Sequence, residues 1–336
     1  MSDPVGLDIL DPDRPGQRGD DPWTLYWSSG FASTTDPGWP LAPPHHSLGA
    51  LWRSLTLPWL RDGCRVLDIA CGNGALTFAL AEIATMRGIA VRFDAIDRAA
   101  TIDPADQVAD RPIRFHAAVD ATALPFPPES FDLAVSQHGL EYCAAAALDE
   151  AARVLRPDGA LIALAHRQGS VLHAHCGEEI AHHALLERLD LLGHAAALVA
   201  AGHAFLAEPA ADIRRDALAR AQEAFNAAST EVSAAIRRAA SADMPRFVLG
   251  ALGHVFAGHR SRGTPWAERM LDGLRGYLRQ DLARHRAMVA AALDETALLH
   301  WTVRLQAAGL HVEPPVDLFT PDGRLFGVLV QARRSG

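Results

Sequence analysis

The spacing of apolar residues divides the chain into stretches of different character. Between Arg65 and about Arg167, short apolar runs at Arg65 to Ile69, Ala90 to Ile96, Ile113 to Val119, Phe131 to Ser136 and Ala160 to Ala165 alternate with helix-compatible segments. Runs of this length, bounded by turn residues, are expected of strands buried on both faces, and their alternation with helices calls for a parallel sheet covered on both sides. A helix from about Leu48 to Leu60, with Ser47 as N-cap, leads into the first strand. A helix at 146–156 stops at Pro157-Asp158-Gly159. Near the C-terminus a helix at 295–308 precedes strand-like Leu310 to Leu318, and Pro321-Asp322-Gly323 turns into Leu325 to Ala332, which predicts a hairpin.

Residues 170–293 break this alternation. They are almost entirely helix-compatible, with breaks expected near Glu208-Pro209, Ala242 to Pro245 and Gly258 to Pro265. A connection in an α/β unit usually takes about 2–6 residues, so this stretch predicts a helical insertion after strand five. Four segments follow: a tail and aromatic arm at 1–47, a core at 48–169, the insertion at 170–293, and a closing part of the core at 294–336. Residues 1–22 have the Asp, Pro and Gly content of a mobile tail, whereas Trp23, Tyr26, Trp27, Phe31 and Trp39 should pack as an arm or close over a site. Ligands of open α/β sheets bind beyond the carboxyl ends of the strands, so the insertion is expected to roof an acceptor pocket. The competing expectation is a homodimer interface, since apolar helices such as Leu185 to Leu206 bury equally well against a second copy.

Candidate chemistry begins where the first strand breaks at Ala70-Cys71-Gly72-Asn73-Gly74. Gly72 and Gly74 let the backbone take positive φ and let a ligand lie against the loop, while the following helix offers free N–H groups. The second strand ends in Asp97, where a carboxylate can accept hydrogen bonds from both ribose hydroxyls, so the loop reads as a nucleoside-cofactor cradle. Together, Val66-Leu67-Asp68-Ile69-Ala70-Cys71-Gly72-Asn73-Gly74, Asp97, Asp120 to Phe126, Phe131 to Val135 and Ala152 to Leu161 stand in an order and spacing that resembles the class I S-adenosylmethionine-dependent methyltransferases. The resemblance covers residues 60–168 well and 294–334 loosely. It implies a seven-stranded, doubly wound, mostly parallel Rossmann-like sheet whose last strand enters antiparallel. It also implies S-adenosylmethionine as cofactor, with Asp68 toward the methionine ammonium, Ala70, Cys71, Gly72 and Gly74 along the loop, Asp97 on the ribose, Asp120 and Ala121 beside the adenine, and Gln137 beside the methionine part. Asp68 could instead bond the backbone of its own loop.

A hydroxyl or amine acceptor is helped by a general base, and His138, just past strand four, is the first candidate, with Tyr142 beside it and Glu141 and His166 as rivals. The run His173 to His183 holds metal-ligand types, yet Gly177 disfavours a continuous helix, so the expectation is a solvated polar helix start and a metal-independent reaction. The net charge of −9 argues against a nucleic-acid partner and leaves a small-molecule acceptor as the expectation. All 31 basic residues are arginine, which excludes lysine-based catalysis. Four cysteines without Cys-x-x-Cys spacing, an acidic Met-Ser-Asp-Pro start and no long unbroken apolar span fit a cytoplasmic protein away from membranes. Methylation of a protein side chain, or a scaffold that binds cofactor without turnover, are the alternatives.

Overall fold

The computed structural model describes residues 10, 22–28, 38–100, 112–209 and 211–334. The expectation of a tail over residues 1–22, Leu10 and Pro22 aside, and the placement of Phe31 lie outside the described residues. Contacts divide the chain into two compact units, one of Trp23–Ala174 with Ala287–Gly336 and one of Met1–Pro22 with His175–Arg286.

The first unit is organised on one sheet. Its strands are β1 (Arg65–Ile69), β2 (Arg92–Ile96), β3 (Ile113–His116), β4 (Phe131–Gln137), β5 (Leu155–Ala165), β6 (Leu310–Val312), β7 (Val316–Phe319) and β8 (Leu325–Arg334). The order is β3-β2-β1-β4-β5-β8-β6, with β7 also paired to β8. β1 to β5 are mutually parallel and β8 runs antiparallel to β5. The expected seven-stranded path is present, and an eighth strand joins it. Pro314 and Pro315 have no N–H to give, so the run Leu310 to Leu318 splits into β6 and β7, which pair with successive parts of β8.

β1 pairs with β2 on one side and β4 on the other, so the chain reverses its winding there, and the crevice between their carboxyl ends is the place a ligand can enter. Alternate residues of β1 feed two cores. Leu67 and Ile69 pack with helices α4 (Ala146–Val154) and α10 (Glu295–Ala307), and Val66 packs with α2 (Leu48–Thr56) and α3 (Ala75–Met86). Each fully buried aliphatic side chain contributes roughly 1.5–3 kcal/mol, which fixes the register of β1 between its neighbours. The expected turn at Pro157-Asp158-Gly159 is instead an irregularity inside β5. α4 ends at Val154, Leu155 already pairs with Phe131, Asp158 takes φ 64°, and the register shifts before Leu133 pairs with Ala160.

The second unit is helical and is formed by α5 (Val171–Arg188), α6 (Leu191–Ala207), α7 (Asp212–Arg238), α8 (Asp243–Arg262) and α9 (Thr264–Ala291), with α5 and α9 entering from the sheet unit at their ends. α6 ends before the expected break at Glu208-Pro209, but the other two breaks are narrower than expected, because Met244-Pro245 and Gly258 to Arg262 belong to α8. Two further details differ. Asp190, at φ 43°, separates α5 from α6 inside the run expected to be one helix. α5 also continues through Gly177 and buries Cys176, Glu179, His182 and His183, so this run is not a solvated helix start. Tertiary packing outweighs the roughly 1 kcal/mol that an interior glycine costs a helix. Among the described residues no single helix is long and apolar enough to cross a membrane.

Candidate active site

The loop after β1 turns on left-handed backbone at Ala70 (φ 57°), Gly72 (φ 54°) and Gly74 (φ 83°), and Gly74 is the N-cap of α3. It is fastened to the neighbouring strand: Cys71 N donates to Ile96 O at 2.9 Å, and Gly72 N donates to Asp97 Oδ2 at 2.8 Å. The other oxygen of the buried Asp97 accepts from Ala99 N at 2.8 Å. Asp68, at the C-terminal end of β1, accepts a 2.6 Å hydrogen bond from Thr77 Oγ1 in the first turn of α3. Burial pushes the Asp68 carboxyl up to about 7, against the opposing pull of the Thr77 hydroxyl. Gly74 leaves α3 without a side-chain cap, and Asp68 binds that first turn from the strand behind it.

β3 stops at His116, three residues short of the run read from sequence, so Asp120 lies in an exposed turn. There its Oδ1 accepts from Thr122 N and Thr122 Oγ1 at 2.8 and 2.7 Å, and these bonds hold its carboxyl below the usual range. Val119 N donates to Asp97 O at 2.9 Å, which brings this turn and the buried Ala121 alongside the end of β2. Gln137, the last residue of β4, accepts from Trp52 Nε1 at 2.5 Å. The structure thus gathers Asp68, the 70–74 loop, Asp97 and the Asp120-Ala121 turn at one sheet edge, and engages Gln137 with α2.

Helix α1 (Pro22–Ser28) carries the aromatic arm onto this loop. A Cβ on Gly72 would stand 2.4 Å from the Trp27 ring, and Asn73 Nδ2 donates to Trp27 O at 2.9 Å. Trp27 is therefore the group that uses the close approach glycine permits. Trp23 stacks on Trp27 at 6.2 Å and meets Tyr142 edge-on at 5.1 Å. The density of aromatics from Trp23 to Trp39 was the only sequence signal for this, and it named no partner.

Past β4 the chain makes a tight bend. Ser136 Oγ donates to Ile69 O and accepts from Leu140 N, tying the bend to β1, and His138 takes φ 52°. His138 is buried, and its ring stacks on His166 with centroids 4.2 Å apart and planes 15° apart. Glu141 follows in a 3-10 turn, and its Oε1 accepts from His166 N at 2.8 Å. Both ring nitrogens of His138 and Oε2 of Glu141 have no hydrogen-bond partner among the described residues.

Burial pushes the Glu141 carboxyl up to about 7, although backbone N–H groups of His166, Glu141 and Gly139 oppose it. Burial, with His166 beside it, holds His138 well below the usual imidazole range, and burial with His173 nearby lowers His166 to about 4. Both rings are thus neutral near pH 7 while Glu141 is close to half-ionised. His138, the first candidate from sequence, lies in the cluster but is a weak base there, and its rival Glu141 has the matched affinity for a proton. His138, Glu141 and His166 each place a donor atom within 4.8 Å of the others. A hollow of about 400 Å³ lined by Arg65, Arg92, Asp94, Ile113 and Arg114 lies at the amino ends of β1 to β3, the edge opposite this chemistry.

Residues 67–163 match the family described as Methyltransferase domain. The chain is 35% identical over 97 residues to a 2-phytyl-1,4-naphtoquinone methyltransferase of Synechococcus elongatus, covering 28% of this chain and 42% of that one. It is 38% identical over 106 residues to a 27-O-demethylrifamycin SV methyltransferase of Amycolatopsis mediterranei, covering 30% and 38%. A solved S-adenosylmethionine dependent methyltransferase from Mesorhizobium loti aligns over 34% of this chain and 52% of that one at 23% identity, with a TM-score of 0.29. The chain spans about two-fifths of the length of these curated relatives.

Proposed function

From the premise that residues 67–163 are a class I S-adenosylmethionine-dependent methyltransferase domain, we propose that the chain methylates a small organic acceptor held beside His138, Glu141 and Tyr142. The residues at the loop fit that cofactor. Left-handed backbone at 70, 72 and 74 bends the loop away from β1, and the first turn of α3 begins directly after it. The buried Asp97 carboxylate stands at the end of the adjacent strand, where ribose hydroxyls can donate to it. When bound, S-adenosylmethionine supplies an electrophilic methyl that leaves sulfur by in-line displacement. The protein's part is to align an acceptor atom at about 3–3.5 Å and to receive its proton. Trp27 and Trp23 exclude water from the loop side, and we assign the arm as the cover of the cofactor.

The observation that carries the reading is Glu141 Oε2, buried and without a partner at the carboxyl end of β4. A carboxylate so placed costs free energy unless an O–H or N–H is brought to it, and the acceptor's own proton meets that need. We assign Glu141 as the general base, His138 and His166 as the neutral wall that keeps its affinity for a proton high, and Tyr142 as a positioning group. The names of the relatives favour a small molecule as acceptor. The test is transfer from methyl-labelled cofactor into a fractionated metabolite extract. Label should enter the small-molecule fraction, and Glu141→Gln should lower turnover roughly 10²-fold or more while still binding cofactor. Label found in protein alone, or a Glu141→Gln variant of wild-type rate, would refute the assignment.

A further inference from the structure

Because α5 runs unbroken through Gly177, His175, Glu179 and His182 follow one another at spacings of four and three and share one helix face. Asp243, the first residue of α8, stands across from them. One donor atom each of His175, Glu179 and Asp243 lie within 4.8 Å of one another. Glu179 is 1% exposed, and neither of its carboxylate oxygens has a hydrogen-bond partner among the described residues. The nearest cationic candidate, His182 Nδ1, is 3.6 Å from Oε2 and is itself without a hydrogen bond.

The same unit shows what a satisfied buried carboxylate looks like. Asp281, 5% exposed, is held by His183 Nε2 at 2.9 Å, Arg284 Nη2 at 2.6 Å and His285 Nε2 at 3.2 Å. Glu179 is buried more deeply with none of this, and an unpaired buried carboxylate is strongly disfavoured unless it is neutralised or faces a cation. Asp243 also lies within 3.4 Å of Ser241 Oγ and 3.6 Å of Arg246 Nη1, and its largely exposed side chain opens the cluster to solvent.

We propose that His175, Glu179 and Asp243 form a divalent-metal site that pins α5 to α8. One imidazole and two carboxylates is a donor set for zinc or manganese. Three protein ligands leave the remaining positions to water, and His182 stands where it can steady the Glu179 carboxylate. The site lies wholly within the helical unit and is independent of the methyl-transfer reading. The buried, unpartnered Glu179 carboxylate supplies the charge, and the i, i+4 pair on α5 supplies the geometry.

The test uses the full chain, stripped with a chelator and dialysed, with Zn²⁺ and Co²⁺ as probes. One equivalent of Zn²⁺ should bind and raise the unfolding temperature, and Co²⁺ should develop visible d–d bands. Glu179→Gln and His175→Ala should weaken binding at least tenfold. Asp243→Asn, at an exposed helix start where folding is not in question, should do the same. Zn²⁺ affinity equal in wild type and Asp243→Asn, or an unfolding temperature unmoved by Zn²⁺ in the wild type, would overturn the site. So would a Glu179→Gln chain that folds more stably than metal-loaded wild type, because a shared proton with His182 would then explain the buried carboxylate.

Discussion

At the scale of single residues, two buried carboxyls set the chemistry of the candidate active site. Asp68 keeps a proton until about pH 7, so a ligand ammonium placed against it would draw the charged form and release that proton. Titrating S-adenosylmethionine at pH 6 in buffers of different ionisation enthalpy should show proton release in wild type and none in Asp68→Asn. Asp97→Ala should weaken binding by on the order of 1.5–3 kcal/mol, the cost of losing hydrogen bonds to a charged acceptor. The same titration reads it, and unchanged affinity would remove Asp97 from the site.

Gly72 offers a sharper test. At φ 54° and 2.4 Å from the Trp27 ring, an alanine Cβ meets both backbone strain and a fixed aromatic. Gly72→Ala should cost roughly 1–3 kcal/mol in wild type and clearly less in a Trp27→Ala background. Chemical denaturation of the four members of that cycle measures the coupling. An additive cycle would show that the arm does not rest on the loop in solution.

At the scale of elements, helix starts are held in two ways. α10 is capped locally: Asp294 Oδ1 accepts from Ala297 N at 2.8 Å, so Asp294→Ala should lower stability by about 1 kcal/mol, read as a shift in denaturation midpoint. α3 begins at a glycine with no capping side chain and is held from β1 by Asp68 through Thr77. That cap joins strand, loop and helix into one body, so a change at Thr77 reaches the loop as well as the helix. The bend after β4 works similarly, since Ser136 Oγ is shared between β1 and Leu140 N.

At the scale of the whole molecule, pH acts on the two units through different groups. Glu141 ionises near 4.5 in an unfolded chain and near 7 in the fold, so the folded state holds the extra proton between those values and its stability falls as pH rises through them. His138 and His166 act oppositely, because their lowered affinities make the unfolded state the better proton binder below about 6.5. The two effects flatten the wild-type curve. Glu141→Gln removes one of them, so its stability relative to wild type should grow from pH 5 to pH 8 by on the order of 3 kcal/mol.

Within the helical unit, burial works against Asp281, but hydrogen bonds from His183 and His285 and the Arg284 guanidinium hold its carboxyl far below 3.8. Its stabilisation is present above that value and disappears as pH falls further. Amides of α5 and α9 should therefore lose exchange protection in strong acid, and Asp281→Asn should differ from wild type at pH 7 and converge with it there. Persistence of the difference in acid would mean that the charge is not what holds those helices.

The alternation of apolar runs, the two loop glycines and the acidic residue ending the second strand are local features, and each is set by backbone sterics and burial within a few residues. They therefore determined the parallel character of the first five strands, the left-handed turn after β1 and the helical nature of 170–293. What they could not determine depends on distant partners. Pro314 and Pro315 split a run because β8 needed donors they lack, and the exposed Gly177 stayed helical because the other face of α5, with Cys176, Glu179, His182 and His183, is buried. Glu141 rather than His138 carries the matched proton affinity because burial in the folded chain raises the carboxyl and lowers the imidazole. Trp27 covers Gly72 because an arm 45 residues earlier in the chain folds onto the loop. Burial and desolvation are properties of the assembled molecule, and only tertiary structure decides which titratable side chains lose water and which keep it.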